Sequence, residues 1–176
     1  MTAGSASLPE SPVPPILVLG LGNVLLQDDG LGPAVVQGLA PDYAAQADQI
    51  EFLDGGTQGL ALLGLLAQRQ ALVIVDALNT GAVPGTISIL EGRTVLGRQC
   101  RCGGTPHEST AVELLAVASM LGDLPPRFCL VGIQPASTST GIGLTPEVSA
   151  ALEEAGHRVR DILNSLCAEV GTALNL

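Results

Sequence analysis

The stretch ILVLGLGNVLLQDDGLG, residues Ile16 to Gly32, decides the fold. Its apolar beginning predicts a strand that is buried on both faces. The sequence Gly20 to Gly22 follows, where a dinucleotide-binding turn would hold a pyrophosphate, but Leu25 stands in the place of that fingerprint's third glycine. Asp28 and Asp29 then lie where a phosphate would need positive potential. The end of this strand therefore predicts a site for a metal ion or a proton rather than a nucleotide.

The composition restricts both the fold and the function. A chain of 176 residues that is 47% hydrophobic suits one compact domain with its own core. A formal net charge of -10, with one Tyr, two Phe and no Trp, argues against nucleic acid, which needs basic patches and stacking surfaces. Lysine is absent, which excludes a P-loop lysine and Schiff-base chemistry.

The first residues and the cysteines bear on the compartment. Residues 1–15 are rich in Pro, Ser and Ala and lack the charged and apolar regions of a signal peptide, which predicts a disordered tail before a single domain over residues 16–176. No apolar run reaches transmembrane length, so no membrane contact is expected. We expect a cytoplasmic protein with its four cysteines mostly reduced.

Alternating apolar patterns predict an α/β fold. The candidate strands are short and rich in Ile, Val and Leu: Ile16–Leu21, Ile50–Leu53, Ala71–Val75, Thr86–Leu90 and Arg127–Ile133. The candidate helices are Gly30–Leu39, Gln58–Ala67, Pro106–Leu121 and Pro146–Leu166. Gly92–Thr105 is expected to be a loop. The alternation predicts a three-layer α/β/α sandwich with a twisted, mostly parallel sheet of about five strands.

Acidic side chains follow three of the predicted strands. Asp29 comes after the first strand, Asp54 ends the second and Asp76 ends the third. Because sites in parallel sheets form beyond the carboxyl ends of the strands, these carboxylates are expected at one edge. His107 begins the helix after the loop and can join them. Carboxylates with an imidazole make a plausible site for a divalent metal.

Each of these residues also has a structural interpretation. Asp28 suits the N-cap of the following helix, whereas Asp29 is harder to explain in this way because one cap suffices. Asp54 can accept hydrogen bonds within its own tight turn, and Asp76 can cap a helix. His107 can be an ordinary surface residue. From the residues alone, the structural and functional interpretations both stay open.

Taken in order, these motifs resemble the maturation endopeptidases of [NiFe] hydrogenases. The resemblance runs from Ile16 to about Leu166. It rests on short segments that carry the acids, the histidine and the turns around them: GNVLLQDDGLG (22–32), DGGT (54–57), IVDA (74–77), PH (106–107), VGIQP (131–135) and GLTP (143–146). The pair Cys100 and Cys102 is not part of the family pattern.

The resemblance implies a protease that trims a C-terminal peptide from the large-subunit precursor of a [NiFe] hydrogenase once nickel is installed. It implies that Asp29, Asp76 and His107 bind the metal, although the family often has Glu in the place of Asp29. It also implies that Asp54 is functionally important, so Asp29, Asp54 and Asp76 are the catalytic candidates. Nickel is expected to come with the substrate, with Zn or Cd able to substitute in vitro and no metal tightly bound at rest.

Two other classes of function remain open. A protein of the same fold could hold the large subunit as a chaperone without cutting it, and the same ligands would serve that purpose. A dinucleotide-binding domain could use Gly20 and Gly22, but Leu25 and the adjacent acids oppose it. Mass spectrometry of the partner separates cleavage from binding, and thermal stabilisation by a dinucleotide tests the last class.

Overall fold

A five-stranded sheet organises the chain in the computed structural model, which describes residues 13–98 and 110–173. The strands are β1 (Ile16–Leu21), β2 (Ile50–Gly56), β3 (Ala71–Ala77), β4 (Ile87–Glu91) and β5 (Arg127–Ile133). The helices are α1 (Leu31–Leu39), α2 (Leu63–Leu66), α3 (Arg93–Arg98), α4 (Thr110–Leu121) and α5 (Pro146–Ala173). Short 3-10 turns occupy Gln27–Gly30, Ala40–Gln46 and Gly59–Leu62.

The strand order is β2-β1-β3-β5-β4, and only the pairing of β4 with β5 is antiparallel among the described strands. The central strands β1 and β3 are formed by apolar runs, and Leu19 pairs with Ile74, which pairs with Leu130. Such runs suit a sheet that is covered on both faces. The structure confirms the predicted mostly parallel α/β fold.

Two apolar cores lie on the two faces of the sheet. On one face, α1 and α5 cover residues such as Val18, Val73 and Val131. On the other face, α2, α3 and α4 cover residues such as Leu19 and Ile74. Each fully buried aliphatic side chain of this size contributes about 1.5–3 kcal/mol to folding. Successive strand residues therefore alternate between the two cores and give the predicted three layers.

Some predicted elements differ from those observed. The loop predicted over Gly92–Thr105 was wrong in its first part, because Arg93–Arg98 forms α3 and buries Val95 completely against the second core. The helix predicted over Gln58–Ala67 is a 3-10 turn followed by the single turn of α2. Gly59, with φ of +53°, interrupts the regular helix there.

Close backbone contact fixes α1 on the sheet. A Cβ atom on Gly32 would lie 2.2 Å from the carbonyl oxygen of Leu21 and 2.4 Å from that of Val75. Only glycine allows the first turn of α1 to approach the ends of β1 and β3 so closely. The 3-10 turn Gln27–Gly30 is thereby held against β3. The glycines of this segment therefore serve helix packing.

The first described residues are held to the rest of the fold by a hydrogen bond from Arg69. Arg69 donates a hydrogen bond to the carbonyl oxygen of Pro14 at 2.6 Å and forms an ion pair with Glu51. The rest of the tail predicted over residues 1–15 falls outside the described residues. Within residues 13–98 and 110–173, no helix is both long and apolar enough to cross a membrane.

Candidate active site

Asp29 lies in the 3-10 turn that follows β1. Its Oδ2 accepts a hydrogen bond from the backbone N–H of Asn23 at 2.7 Å. Gly22, with φ of +130°, lies so close below the turn that a Cβ atom there would be 1.7 Å from the carbonyl oxygen of Asp29. Since the protein's own carboxylate already occupies the N–H group of Asn23, this donor is not free for a phosphate. The turn thus presents a half-buried carboxylate at the end of β1.

Asp76 lies in β3 and is 3% exposed. Its Oδ2 accepts a hydrogen bond from the backbone N–H of Ala111, in the first turn of α4, at 3.3 Å. The positive end of a helix stabilises a carboxylate placed in this way. His107 comes four residues before Ala111 in the sequence but lies outside the described residues, as do Cys100 and Cys102.

Asp54 lies at the end of β2 and is exposed. Its Oδ1 accepts a hydrogen bond from the N–H of Gly56 at 3.0 Å, and its Oδ2 accepts one from Nε2 of Gln37, in α1, at 3.1 Å. Asp54 therefore faces the α1 side of the sheet, whereas Asp76 faces the α4 side. The three carboxylates lie at one edge of the sheet, as expected, but Asp54 and Asp76 lie on opposite faces of it.

A backbone link joins Asp54 to the turn of Asp29. The N–H of Gly22 donates to the carbonyl oxygen of Gly56 at 3.0 Å. Gly56 also donates to Asp54, and Gly22 lies directly below Asp29. The Asp54 turn is thus hydrogen-bonded to the glycine that lies directly below Asp29.

The described residues supply only part of a metal site. In residues 13–98 and 110–173, no group of three or more His, Cys, Asp or Glu side chains could hold a metal ion. Two carboxylates lie at the carboxyl edge of β1 and β3. Asp29 belongs to the 3-10 turn that packs on β3, and Asp76 belongs to β3 itself. The third predicted ligand, His107, belongs to the segment that the structure does not describe.

The interpretation of Asp28 as a helix N-cap was wrong. No side chain caps the 3-10 turn Gln27–Gly30 or α1. Asp28 is fully buried and accepts hydrogen bonds from the N–H groups of Ala136 at 2.9 Å and Ser137 at 3.0 Å. It also accepts bonds from the N–H of Thr145 at 2.7 Å and from the Thr145 hydroxyl at 2.9 Å. This side chain fastens the loop before α5 to the turn that carries Asp29.

The charge of Asp28 is stabilised by these donors. Burial alone would raise the pKa of Asp28, but the hydrogen bonds from Thr145, Ser137 and Ala136 outweigh burial and hold the pKa below its usual value. The carboxylate is therefore ionised at neutral pH. The two acids after β1 therefore have different roles. Asp28 is buried and holds the loop before α5, whereas Asp29 lies at the edge of the sheet.

Replacing Asp28 with alanine is expected to lower the free energy of unfolding by about 3 kcal/mol or more, because the N–H groups of Ala136, Ser137 and Thr145 lose their charged acceptor. Urea unfolding of both proteins measures this difference. Asp42→Ala is the control, since Asp42 forms an exposed ion pair with Arg160 that is worth about 1 kcal/mol or less. Equal losses in the two variants would contradict the role given to Asp28.

The difference in the free energy of unfolding between wild type and Asp28→Ala is expected to depend on pH. The folded pKa of Asp28 lies below its unfolded value, so its contribution is complete above the unfolded pKa and is lost as pH falls through the folded pKa. The gap between wild type and Asp28→Ala should therefore be constant near neutral pH and shrink below about pH 4. A gap that is unchanged in acid would contradict the assignment.

Gln134 is a second structural residue that the sequence reasoning missed. Its Oε1 accepts hydrogen bonds from the N–H of Thr80 at 2.7 Å and from the Thr80 hydroxyl at 3.1 Å. Its Nε2 donates to the side chain of Asn79 and to the carbonyl oxygen of Pro135. Gln134 thus orders the loop after β3, and the signal was its place in the VGIQP segment directly after an apolar strand.

The candidate acids lie at the carboxyl edge of the sheet. Two cavities, of about 560 and 500 Å³, lie elsewhere, and neither is lined by Asp29, Asp54 or Asp76. The larger one lies between the start of β5 and the second half of α5, at the opposite end of the sheet. Cys129 lines it, and burial raises the pKa of this thiol to about 12, so the thiol is inert.

Comparison with known proteins gives a consistent result. Residues 33–162 match the family model described as hydrogenase maturation protease. The chain is 39% identical over 145 residues to the Hydrogenase 2 maturation protease of Escherichia coli (strain K12), which covers 82% of this chain and 87% of that protein. The hydrogenase maturating endopeptidase HybD from E. coli matches the fold with a TM-score of 0.72 and 37% identity, over 85% of this chain and 92% of that one.

An archaeal structure extends the comparison. The hydrogenase 2 maturation peptidase from Thaumarchaeota archaeon SCGC_AB-539-E09 matches with a TM-score of 0.62 and 31% identity, over 85% of this chain and 97% of that one. The family match begins within α1 and ends within α5, and it includes Asp54, Asp76 and His107, while Asp29 lies just before it. The resemblance stated from the motifs is confirmed, and this chain belongs to the hydrogenase maturation protease family.

Proposed function

We propose that this protease removes a C-terminal peptide from the nickel-loaded large-subunit precursor of a [NiFe] hydrogenase. The observation that carries the proposal is the pair of carboxylates, Asp29 and Asp76, at the carboxyl edge of β1 and β3. A relative with 39% identity is named for the maturation of hydrogenase 2, which supports a hydrogenase as the source of the substrate.

Nickel enters this proposal as part of the substrate. Asp29 and Asp76 offer two carboxylates, and His107 offers an imidazole, a ligand set that suits nickel and leaves positions open. Both carboxylates are oriented by backbone N–H groups, from Asn23 and Ala111, as metal ligands usually are. Such a small ligand set is expected to hold no metal tightly at rest, and Zn or Cd are expected to replace nickel in vitro.

The chemistry proposed is hydrolysis by water without a covalent intermediate. A water molecule adds to the carbonyl carbon of the scissile peptide, the C–N bond breaks, and the departing amine takes up a proton. The metal of the substrate polarises the carbonyl group or the water. Asp54 is proposed to orient the water or to act as the base. Because the metal is needed for docking, a precursor without nickel is not cut.

Asp54→Asn is expected to lower kcat about 100-fold with little loss of stability. The substitution removes the charge and keeps an oxygen for the N–H of Gly56, and it loses only the exposed acceptor for Nε2 of Gln37. A purely structural role in the turn would lower the free energy of unfolding and leave kcat near the wild-type value, and that outcome would remove Asp54 from the reaction.

The deciding experiment is the intact mass of a cognate large-subunit precursor after incubation with this protein, with and without nickel. Loss of a C-terminal peptide only from the loaded sample is the expected result. Binding without any mass change would favour the chaperone alternative on the same fold. Cleavage of both samples at equal rates would remove nickel from the recognition step while leaving the protease.

A further inference from the structure

Three large aliphatic side chains lie exposed beside Asp29. Val24 is 54% exposed, Leu25 is 57% exposed and Ile142 is 88% exposed. We call these three residues the apolar rim. Exposed apolar side chains that form one group mark interaction surfaces more often than scattered ones do.

Backbone hydrogen bonds bring the two parts of the apolar rim together. The N–H of Gly141 donates to the carbonyl oxygen of Leu25 at 2.9 Å, and the N–H of Gln27 donates to the carbonyl oxygen of Gly141 at 3.0 Å. Leu26 and Gly141 form an isolated parallel bridge. Ile142, which follows Gly141, therefore lies beside the segment Leu25 to Gln27, although the two segments are far apart in the sequence.

The apolar rim is held in place before any partner arrives. The carboxylate of Asp28 binds the N–H groups of Ala136, Ser137 and Thr145, on both sides of Gly141 in the sequence. A surface that is already ordered loses little conformational entropy on binding. The rim is thus suited to dock a partner without rearrangement.

The apolar rim is continuous with the proposed metal-binding turn. Asn23 donates its N–H to Asp29, and its side-chain oxygen accepts the N–H of Leu25 at 3.0 Å. Val24 lies against Gly30, since a Cβ atom on that glycine would be 3.0 Å from the Cα atom of Val24. A substrate that brings its metal to Asp29 must therefore lie beside the rim.

The charges of the described chain favour an apolar partner here. Each arginine whose side chain the structure describes is ion-paired away from the rim: Arg69 with Glu51, Arg127 with Glu169, Arg158 with Glu154 and Arg160 with Asp42. No described arginine is therefore available at the rim to bind an acidic segment. Aliphatic contact is the interaction that Val24, Leu25 and Ile142 can offer.

We propose that the apolar rim binds an aliphatic segment of the precursor next to the peptide bond that is cut. This inference rests on the proposed function, because it assigns a part of the same substrate to a surface beside the same site. The rim touches aliphatic side chains of the substrate and not the reacting atoms themselves, so it contributes to binding and not to the chemical step. Its removal should then raise KM and leave kcat nearly unchanged.

The test uses the variants Leu25→Ser, Ile142→Ser and the double variant, with the nickel-loaded precursor as substrate. The double variant is expected to raise KM about 10- to 100-fold, since two aliphatic contacts are lost. Met120→Ser is the matched control, because Met120 is 87% exposed, like Ile142, but lies near the far end of α4. Thermal unfolding of each variant verifies that the fold is intact.

The outcomes separate this inference from the proposed function. If the wild type does not cleave the precursor, the proposed function fails. If the wild type cleaves and the rim variants keep the wild-type KM, the apolar rim is not a substrate surface. If the rim variants keep that KM but lose self-association in sedimentation velocity, the rim belongs to a contact between two copies and the inference is overturned. A rise in KM in the rim variants but not in Met120→Ser supports it.

Discussion

Replacing Asp76 with asparagine is expected to reduce cleavage of the nickel-loaded precursor by about 10²–10⁴-fold. Asparagine has nearly the same shape and retains an oxygen for the N–H of Ala111, so the contact between β3 and α4 can persist. The substitution removes the negative charge that a divalent metal needs from this ligand. The rate of cleavage should therefore fall by a large factor, while the free energy of unfolding changes little.

Single-turnover cleavage, followed by intact mass, measures the effect of Asp76→Asn. Retention of the nickel-loaded precursor on immobilised enzyme shows whether the loss lies in metal-dependent docking.

The two histidines of the chain offer a matched pair of variants that tests the third ligand. His107→Ala should abolish cleavage, whereas His157→Ala, on the exposed face of α5, should not. Full activity in Asp76→Asn or in His107→Ala would contradict the proposed metal site.

Replacing Gly32 with alanine is expected to lower the free energy of unfolding by about 3 kcal/mol or more. The added Cβ atom would lie 2.2 Å from the carbonyl oxygen of Leu21 and 2.4 Å from that of Val75. Both neighbours are backbone atoms of the central strands, so relief requires α1 to move away from the sheet. That movement would also displace the turn that carries Asp29.

Gly38→Ala provides the control within the same helix. A Cβ atom on Gly38 would meet nothing within 4 Å, and alanine in a helix is more stable than glycine by about 0.5–1 kcal/mol. Urea unfolding should therefore show a large loss for Gly32→Ala and a small gain for Gly38→Ala. Similar effects in the two variants would mean that helix propensity, and not the close approach to β1, determines the result.

The fold was predictable because its central strands are uninterrupted apolar runs. The bounds of β1 and β5 agree with prediction, since each run is bordered by proline or polar residues on one side and by a turn on the other. α3 was missed because a six-residue helix with one buried anchor, Val95, gives no helical period that can be recognised. Short elements take their structure from the surface on which they pack.

The candidate site was predictable only in part. Strand ends placed Asp29, Asp54 and Asp76 at the carboxyl edge of the sheet, but the face to which each side chain points depends on strand register. Asp54 pairs with Gly20 and faces α1, whereas Asp76 faces α4. The partners of Asp28 could not be predicted either, because they come from a loop that only the folded chain brings near.

The hydrogen bonds of Asp28 also constrain the order in which the protein can fold. They join residues that are 108 to 117 positions apart in the chain. Contacts of such long range form late, because the intervening chain must first be closed into a loop. During synthesis, the turn that carries Asp29 cannot gain this support until Thr145 has left the ribosome. The nascent chain is therefore expected to acquire its protease site only when most of the domain has been made.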